Sequence, residues 1–378
     1  VHTTEHITAV QAPTTTESRV KKEKPISFFF AGAPSYTKTT SLMLSICGSG
    51  EYRWDRDDYS IQRSNFTVYA NASISGIATL GLYGKNFLKH DAVRINYDFF
   101  VQKTKARTWG IGYEDGSRLD ENETNFKRVQ IKFEPEVLFR VADNLYIGPT
   151  ASLERNTAYS CDRINPEWIK EMEQLYPETK VLNMIDEQGN LQNLHFFDHH
   201  FSTLGFGYTI NYDSRDFILN ASKGFNVRFS QMFFPNFLVG GKMKYASQLP
   251  AVMQGIAEHS GFVMQDLTFD FYHHVWKGAT LAFEFHGRYN AGKNVPWVMM
   301  AEVGGPSRMR ASLSGSYRDK GLLESQIELR QHIKGRSGAV LWIGAANIFP
   351  SFDKIRMRNT LGNYGIGYRF ELKHGINI

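Results

Sequence analysis

Leu281-Ala282-Phe283-Glu284-Phe285-His286-Gly287-Arg288-Tyr289 decides the fold. Successive side chains of an extended strand point to opposite faces, so Leu281, Phe283, Phe285 and Tyr289 share one side. Ala282, Glu284, His286 and Arg288 share the other. The first row needs apolar surroundings; the second needs water or charged partners. The same two-faced reading recurs along the chain. Val93, Ile95, Tyr97 and Phe99 oppose Arg94, Asn96 and Asp98, and Val129, Ile131 and Phe133 oppose Gln130, Lys132 and Glu134. Leu204, Phe206, Tyr208 and Ile210 oppose Thr203, Gly205, Gly207 and Thr209. Phe225, Val227 and Phe229 oppose Asn226, Arg228 and Ser230, and Leu267, Phe269 and Phe271 oppose Thr268, Asp270 and Tyr272. Near the end, Leu323, Ile327 and Leu329 oppose Glu324, Gln326, Glu328 and Arg330.

Strands of a soluble β-sandwich also alternate, but its shared interior cannot take whole rows of charge. A transmembrane barrel has the opposite demand, with apolar side chains toward lipid and polar ones toward a lumen. The connections fit that reading. Ala142-Asp143-Asn144 is a tight turn, whereas residues 104–126, 156–200, 235–261, 291–321 and 350–359 are long connections. Short turns at one end and long loops at the other mark bacterial barrels. The chain has 378 residues, 42% of them hydrophobic, with 28 Phe and 18 Tyr, yet no run of about eighteen apolar residues for a helical span. A net charge of +5 is small for this length and does not point to nucleic acid. The expected fold is therefore all-β, a transmembrane antiparallel β-barrel of about fourteen readable strands.

Residues 1–24 are polar and threonine-rich and end in Val20-Lys21-Lys22-Glu23-Lys24, which predicts a flexible periplasmic tail. The barrel then occupies residues 25–378, with both chain ends periplasmic, the long loops outside the cell and the targeting segment already removed. Within 156–200, Asn165 as cap, Pro166 at the first position and the row Trp168, Ile169, Met172 and Leu175 predict a short helix. Cys47 falls in a strand and Cys161 in a polar loop, a separation that argues against a disulfide.

Three segments go beyond a generic barrel. Gly207-Tyr208-Thr209-Ile210-Asn211-Tyr212-Asp213-Ser214-Arg215-Asp216 is followed by Ala221-Ser222-Lys223-Gly224. Gly304-Gly305-Pro306-Ser307-Arg308-Met309-Arg310-Ala311-Ser312 precedes Ser325-Gln326-Ile327-Glu328-Leu329-Arg330. Trp342-Ile343-Gly344-Ala345-Ala346-Asn347-Ile348-Phe349 comes third. Together they resemble the BamA-type superfamily of outer-membrane assembly and translocation barrels, which includes the bacterial surface antigens. The resemblance places Gly207, Asp213, Arg215, Asp216 and Gly224 in the family's turn motif, with Ala221 replacing the usual proline. It also implies a loop folded back into the lumen, whose tip arginine, Arg310, is held by the wall carboxylate of Glu328. Ala311 and Ser312 stand where the family has glycine and an aromatic residue, and Gly344 stands where many members carry an aspartate.

The resemblance further implies a sixteen-stranded barrel whose first and last strands pair weakly enough to part. The first strand lies within residues 26–36, and Gly32 and Pro34 weaken that seam, since proline removes a ladder donor. The final residues 374–378 read as the opening of a fifteenth strand, so the closing strands are expected beyond this sequence. Polypeptide-transport-associated repeats, through which family assembly factors receive clients, are expected to be absent.

Nothing in the residues suggests enzymatic chemistry. Neighbouring histidines such as His199-His200 and His273-His274 point to opposite faces of a strand, so neither pair makes a two-ligand metal site. His286 and Ser230 qualify as a catalytic pair by residue type alone. No cofactor motif is present. Two functions remain: protein insertion or translocation, or a passive pore or structural barrel within a surface protein complex. The expected partners are outer-membrane lipid and, beyond it, outer-membrane or periplasmic assembly proteins or surface lipoproteins.

Overall fold

The structure is a computed structural model that describes residues 26–37, 41–54, 61–117, 124–159, 199–217, 220–243, 260–304, 308–373 and 376–377. The amino-terminal tail, Cys161 and the helix expected at Asn165 to Leu175 lie outside the described residues. The strands are β1 Ile26–Thr37, β2 Ser41–Tyr52, β3 Ser64–Ser73, β4 Ala78–Leu88, β5 Val93–Thr108, β6 Thr124–Ala142, β7 Leu145–Tyr159, β8 His199–Asp213 and β9 Gly224–Phe234. They continue as β10 Val239–Met243, β11 Phe262–Trp276, β12 Ala279–Ala291, β13 Ala301–Glu302, β14 Arg318–Asp319, β15 Gly321–Lys334, β16 Ser337–Phe349, β17 Leu361–Lys373 and β18 Ile376–Asn377. Fourteen of these have ten residues or more, the number legible in the sequence. The one α-helix among the described residues, α1, is Tyr113–Ser117.

Each long strand pairs antiparallel with the next in chain order, from β1–β2 through β16–β17. The sheet is strongly curved. On a flat sheet, strands three places apart would stand about 14 Å apart. Yet Arg228 of β9 donates to Glu136 of β6, its Nη1 lying 3.0 Å from Oε1. The polar rows therefore converge on a concave face, and the apolar rows cover the convex one. Thr203, Thr209, Asn211, Glu324 and Gln326 are buried, while Phe206, Ile343 and Tyr364 are exposed. Exposed aromatics over a buried polar interior invert the soluble pattern and fit lipid as the outer solvent. Among the described residues no helix is long and apolar enough to cross a membrane. The sheet does not close: among the described residues β1 pairs only β2, and β17 pairs β16 and the two-residue β18.

Several boundaries depart from the sequence reading. β5 and β6 run on to Thr108 and back to Thr124, and β7 runs to Tyr159. Lys105 and Lys127 carry no apolar alternation, but a ladder needs only backbone groups, and the two residues pair directly. Pro235 was expected to open a long loop. It does interrupt β9, since it has no N–H to donate, but after one 3-10 turn at Asn236–Leu238 the chain returns as β10 against β8. Pro34 sits inside β1, opposite Leu44. The loop asymmetry also fails over the first four strands. Strand direction alternates, so the brief connections 38–40 and 74–77 lie at the long-loop end, and the longer 53–63 lies at the other.

Candidate functional site: a loop lodged in the concave face

The connection between β12 and β15 enters the interior rather than standing clear of it. Val303 and Met309 are 0% and 2% exposed, packed with Ala301, Leu322, Ala346 and Ile348. Leu322 and Ala346 lie on the inward faces of β15 and β16, so this small apolar core fastens the loop to the wall. Burying the Met309 side chain contributes about 2 kcal/mol to that anchoring. Met309 has φ 45°, a left-handed backbone that is uncommon for a residue with a side chain. That turn sends Arg308 and Arg310 to different wall carboxylates. Arg308 pairs with Glu284 of β12 and also approaches Glu324 of β15 at 3.5 Å.

Arg310 meets Glu328 of β15, and its guanidinium lies over the Trp342 ring, 4.5 Å from the centroid. Glu328 is shared, for Arg330 Nε donates to it at 2.9 Å and Gln326 Nε2 at 3.0 Å. The Ala311 amide reaches Asn363 Oδ1 on β17 at 3.3 Å. The loop thus touches β12, β15, β16 and β17 with Ala311 and Ser312 at its tip. Nearer its ends it reaches the opposite wall, where Trp297 meets Phe126 of β6 with centroids 5.1 Å apart. There the Gly112 amide, just ahead of α1, donates to the Arg318 carbonyl at 2.7 Å. Arg318 pairs with Glu302 and lies over the Trp297 ring.

Below the loop, toward the short-turn end, a polar cavity of about 610 Å³ remains, lined by Lys85, Glu136, Asp213, Arg228, Asp266 and Arg288 among others. Acids and bases are interleaved around it. Asp266 accepts from Arg288 Nε at 2.8 Å and lies 3.1 Å from His286 Nε2, whose Nδ1 lies 2.9 Å from Glu324. His286 is therefore held by two carboxylates, and Ser230 bonds Thr209 instead. The structure does not bring the two together as a catalytic pair.

The turn residues between β8 and β9 form a second cluster. Arg215 makes a two-pronged contact with Asp213, at 2.8 and 2.7 Å, and its far nitrogen lies 3.9 Å from Asp270 of β11. Such a fork fixes the turn against the wall with charge-assisted bonds. Asp216 caps the turn itself, accepting the amides of Phe217, Ser222 and Lys223 and, at 2.6 Å, the Ser222 hydroxyl. Slight burial opposes its ionisation, but the Ser222 hydroxyl and these amides outweigh that and hold the carboxyl below its ordinary value. Gly224 has φ +98°, and a Cβ there would come within 2.3 Å of the Ser214 carbonyl. A Cβ on Gly207 would press to 1.8 Å from the Gln231 carbonyl. Both glycines are demanded by close backbone approach. Gly32 of β1 lies opposite Ile46 of β2 and takes part in neither cluster.

Of the residues that the structure brings together here, sequence reasoning named Arg310, Glu328 and those of the turn. It missed Arg308, Trp342 and the His286 network, whose only advance signal was the inward parity of His286, Glu324 and Trp342.

No family model matches this chain, and no curated protein matches it. Among solved structures it is similar to BamA from Haemophilus ducreyi lacking its POTRA domains 1–3, with 11% identity and a TM-score of 0.50 over 92% of this chain and 64% of that one. CdiB from Escherichia coli gives 10% identity and a TM-score of 0.51 over 92% and 56%. CdiB from Acinetobacter baumannii gives 8% and 0.50 over 92% and 54%. The chain thus spans somewhat more than half the length of these proteins, and at such identities the likeness concerns the fold alone, that of a transmembrane β-barrel.

Proposed function

We propose that this chain is an outer-membrane barrel of the protein insertion or translocation type. The observation that carries this reading is the loop anchored through Arg308 and Arg310 on Glu284 and Glu328. A passive pore works through an open lumen, and here the protein's own loop lies across the interior. Traffic then has to use the wall. The β1 edge offers a place, because an extended client can add a strand to it by backbone hydrogen bonds. Pro34 removes one donor from β1, which lowers the cost of parting a neighbour there. In this reading Gly32 and Pro34 mark the seam, the turn residues Asp213, Arg215 and Asp216 brace the short-turn end, and the expected partners are outer-membrane or periplasmic assembly proteins or surface lipoproteins.

The test is a disulfide lock. Cys47 and Cys161 are replaced by serine, and Gly32→Cys is combined with a cysteine in the strand that closes against β1. Oxidation is expected to stop insertion of a barrel client into proteoliposomes, and reductant to restore it. Insertion that proceeds unchanged in the locked protein overturns the seam. Co-purification with a fixed surface complex, and with no unfolded barrel client, favours a structural barrel instead.

A further inference from the structure

Every Asp and Glu in the fourteen long strands lies on the inward face by register and alternation. The cations do not follow this rule. Lys103 and Lys105 of β5 continue the outward row of Phe99 and Val101, and all three of Val101, Lys103 and Lys105 are exposed. Lys127 of β6 is exposed directly opposite Lys105. Arg155 of β7 is exposed above Leu153, in register with Ile131. These four cations gather at the long-loop end of three consecutive strands. None of them makes an ion pair among the described residues.

Two lysines opposite each other on an antiparallel pair have Cβ atoms about 5 Å apart, and like charges at that spacing repel. No Asp or Glu of the fourteen long strands lies on this face, so an anion bound there relieves that repulsion. What the patch fits follows from its setting. It stands at the end of an apolar surface made by Phe99, Val101, Ile131, Phe133 and Leu153, where long basic side chains reach headgroup depth. An anion joined to hydrocarbon matches both halves. A soluble acidic protein would match only the cations.

We propose that Lys103, Lys105, Lys127 and Arg155 form a binding site for the phosphorylated headgroup of a membrane amphiphile in the leaflet at the long-loop end. The phosphate sits among the four cations, and the acyl chains lie along the apolar rows of β5, β6 and β7. The site requires that this face meet lipid and is independent of whether the barrel inserts proteins.

Native mass spectrometry of the protein in a neutral maltoside detergent tests it, titrating lipid A and, separately, phosphatidylcholine. Lipid A is expected to bind at least tenfold more tightly. The fourfold variant Lys103→Gln, Lys105→Gln, Lys127→Gln, Arg155→Gln should lose that preference, and Lys354→Gln with Arg358→Gln in the loop before β17 should keep it. The milder pair Lys105→Gln and Lys127→Gln should show a partial loss if the fourfold variant does not fold. Equal binding of the two lipids, or full retention by the folded variants, overturns the proposal. Inorganic phosphate that binds at the same site as tightly as lipid A overturns the lipid assignment. A chain that stays monodisperse without detergent removes the lipid-facing premise itself.

Discussion

Arg310 rests between the Glu328 carboxylate and the face of Trp342, a setting that suits a guanidinium better than an ammonium. Removing the carboxylate takes a salt-bridge partner from both Arg310 and Arg330. Glu328→Ala is expected to cost about 1–3 kcal/mol at the loop anchor. Limited trypsinolysis in detergent should then cut after Arg308 or Arg310 markedly faster than in the native chain. The pair had been named on the resemblance alone, which implied a loop-tip arginine and a wall glutamate, and the structure sets Arg310 beside Glu328 of β15. The His286 cluster was not legible, since it joins Asp266, Arg288 and Glu324 across three strands, and a sequence does not state register. Asp216 supplies a pH signature. Its carboxyl is depressed in the folded state, so the stability it adds is complete above the ordinary value of 3.8 and is lost as pH falls through the folded one. Urea-unfolding midpoints of the native chain and of Asp216→Asn should therefore differ at pH 6 and converge as the pH drops below about 4.

The strands were read well where side chains alternate and poorly where only the backbone holds them. Period-2 rows located β5, β6, β8, β9, β11, β12 and β15, because lipid and lumen impose opposite demands on neighbouring residues. The extensions of β5–β7 past the apolar rows escaped notice, and so did β10, since polar residues pair through the same amide ladder. Pro34 shows what one missing N–H does for a whole strand. In the insertion reading, Pro34→Val restores a donor to β1 and tightens its pairing with whichever strand closes on it. Client insertion into proteoliposomes should slow several-fold while the thermal midpoint holds or rises. An unaltered rate would separate β1 from the insertion step.

For the molecule as a whole, the lodged loop is expected to limit how freely ions pass. Replacing residues 303–317 with a short Gly-Ser linker removes the Met309 anchor and both arginine contacts. Planar-bilayer conductance is expected to rise several-fold over that of the intact chain, and an unchanged conductance would show that the loop is no barrier. Whole-molecule features divided cleanly in their legibility. Apolar-out polarity was written in the alternation, whereas the path of the loop across to Phe126 and Gly112 depended on which walls the curvature brings face to face. Rim height is the last such feature. The connections after β1 and β3 span only three and four residues, whereas those after β5, β7 and β16 span eleven or more. A large visitor arriving from above, an antibody fragment for instance, has the least connecting chain to pass over at β1–β4. Access to the sheet's unpaired flank is thus asymmetric by construction.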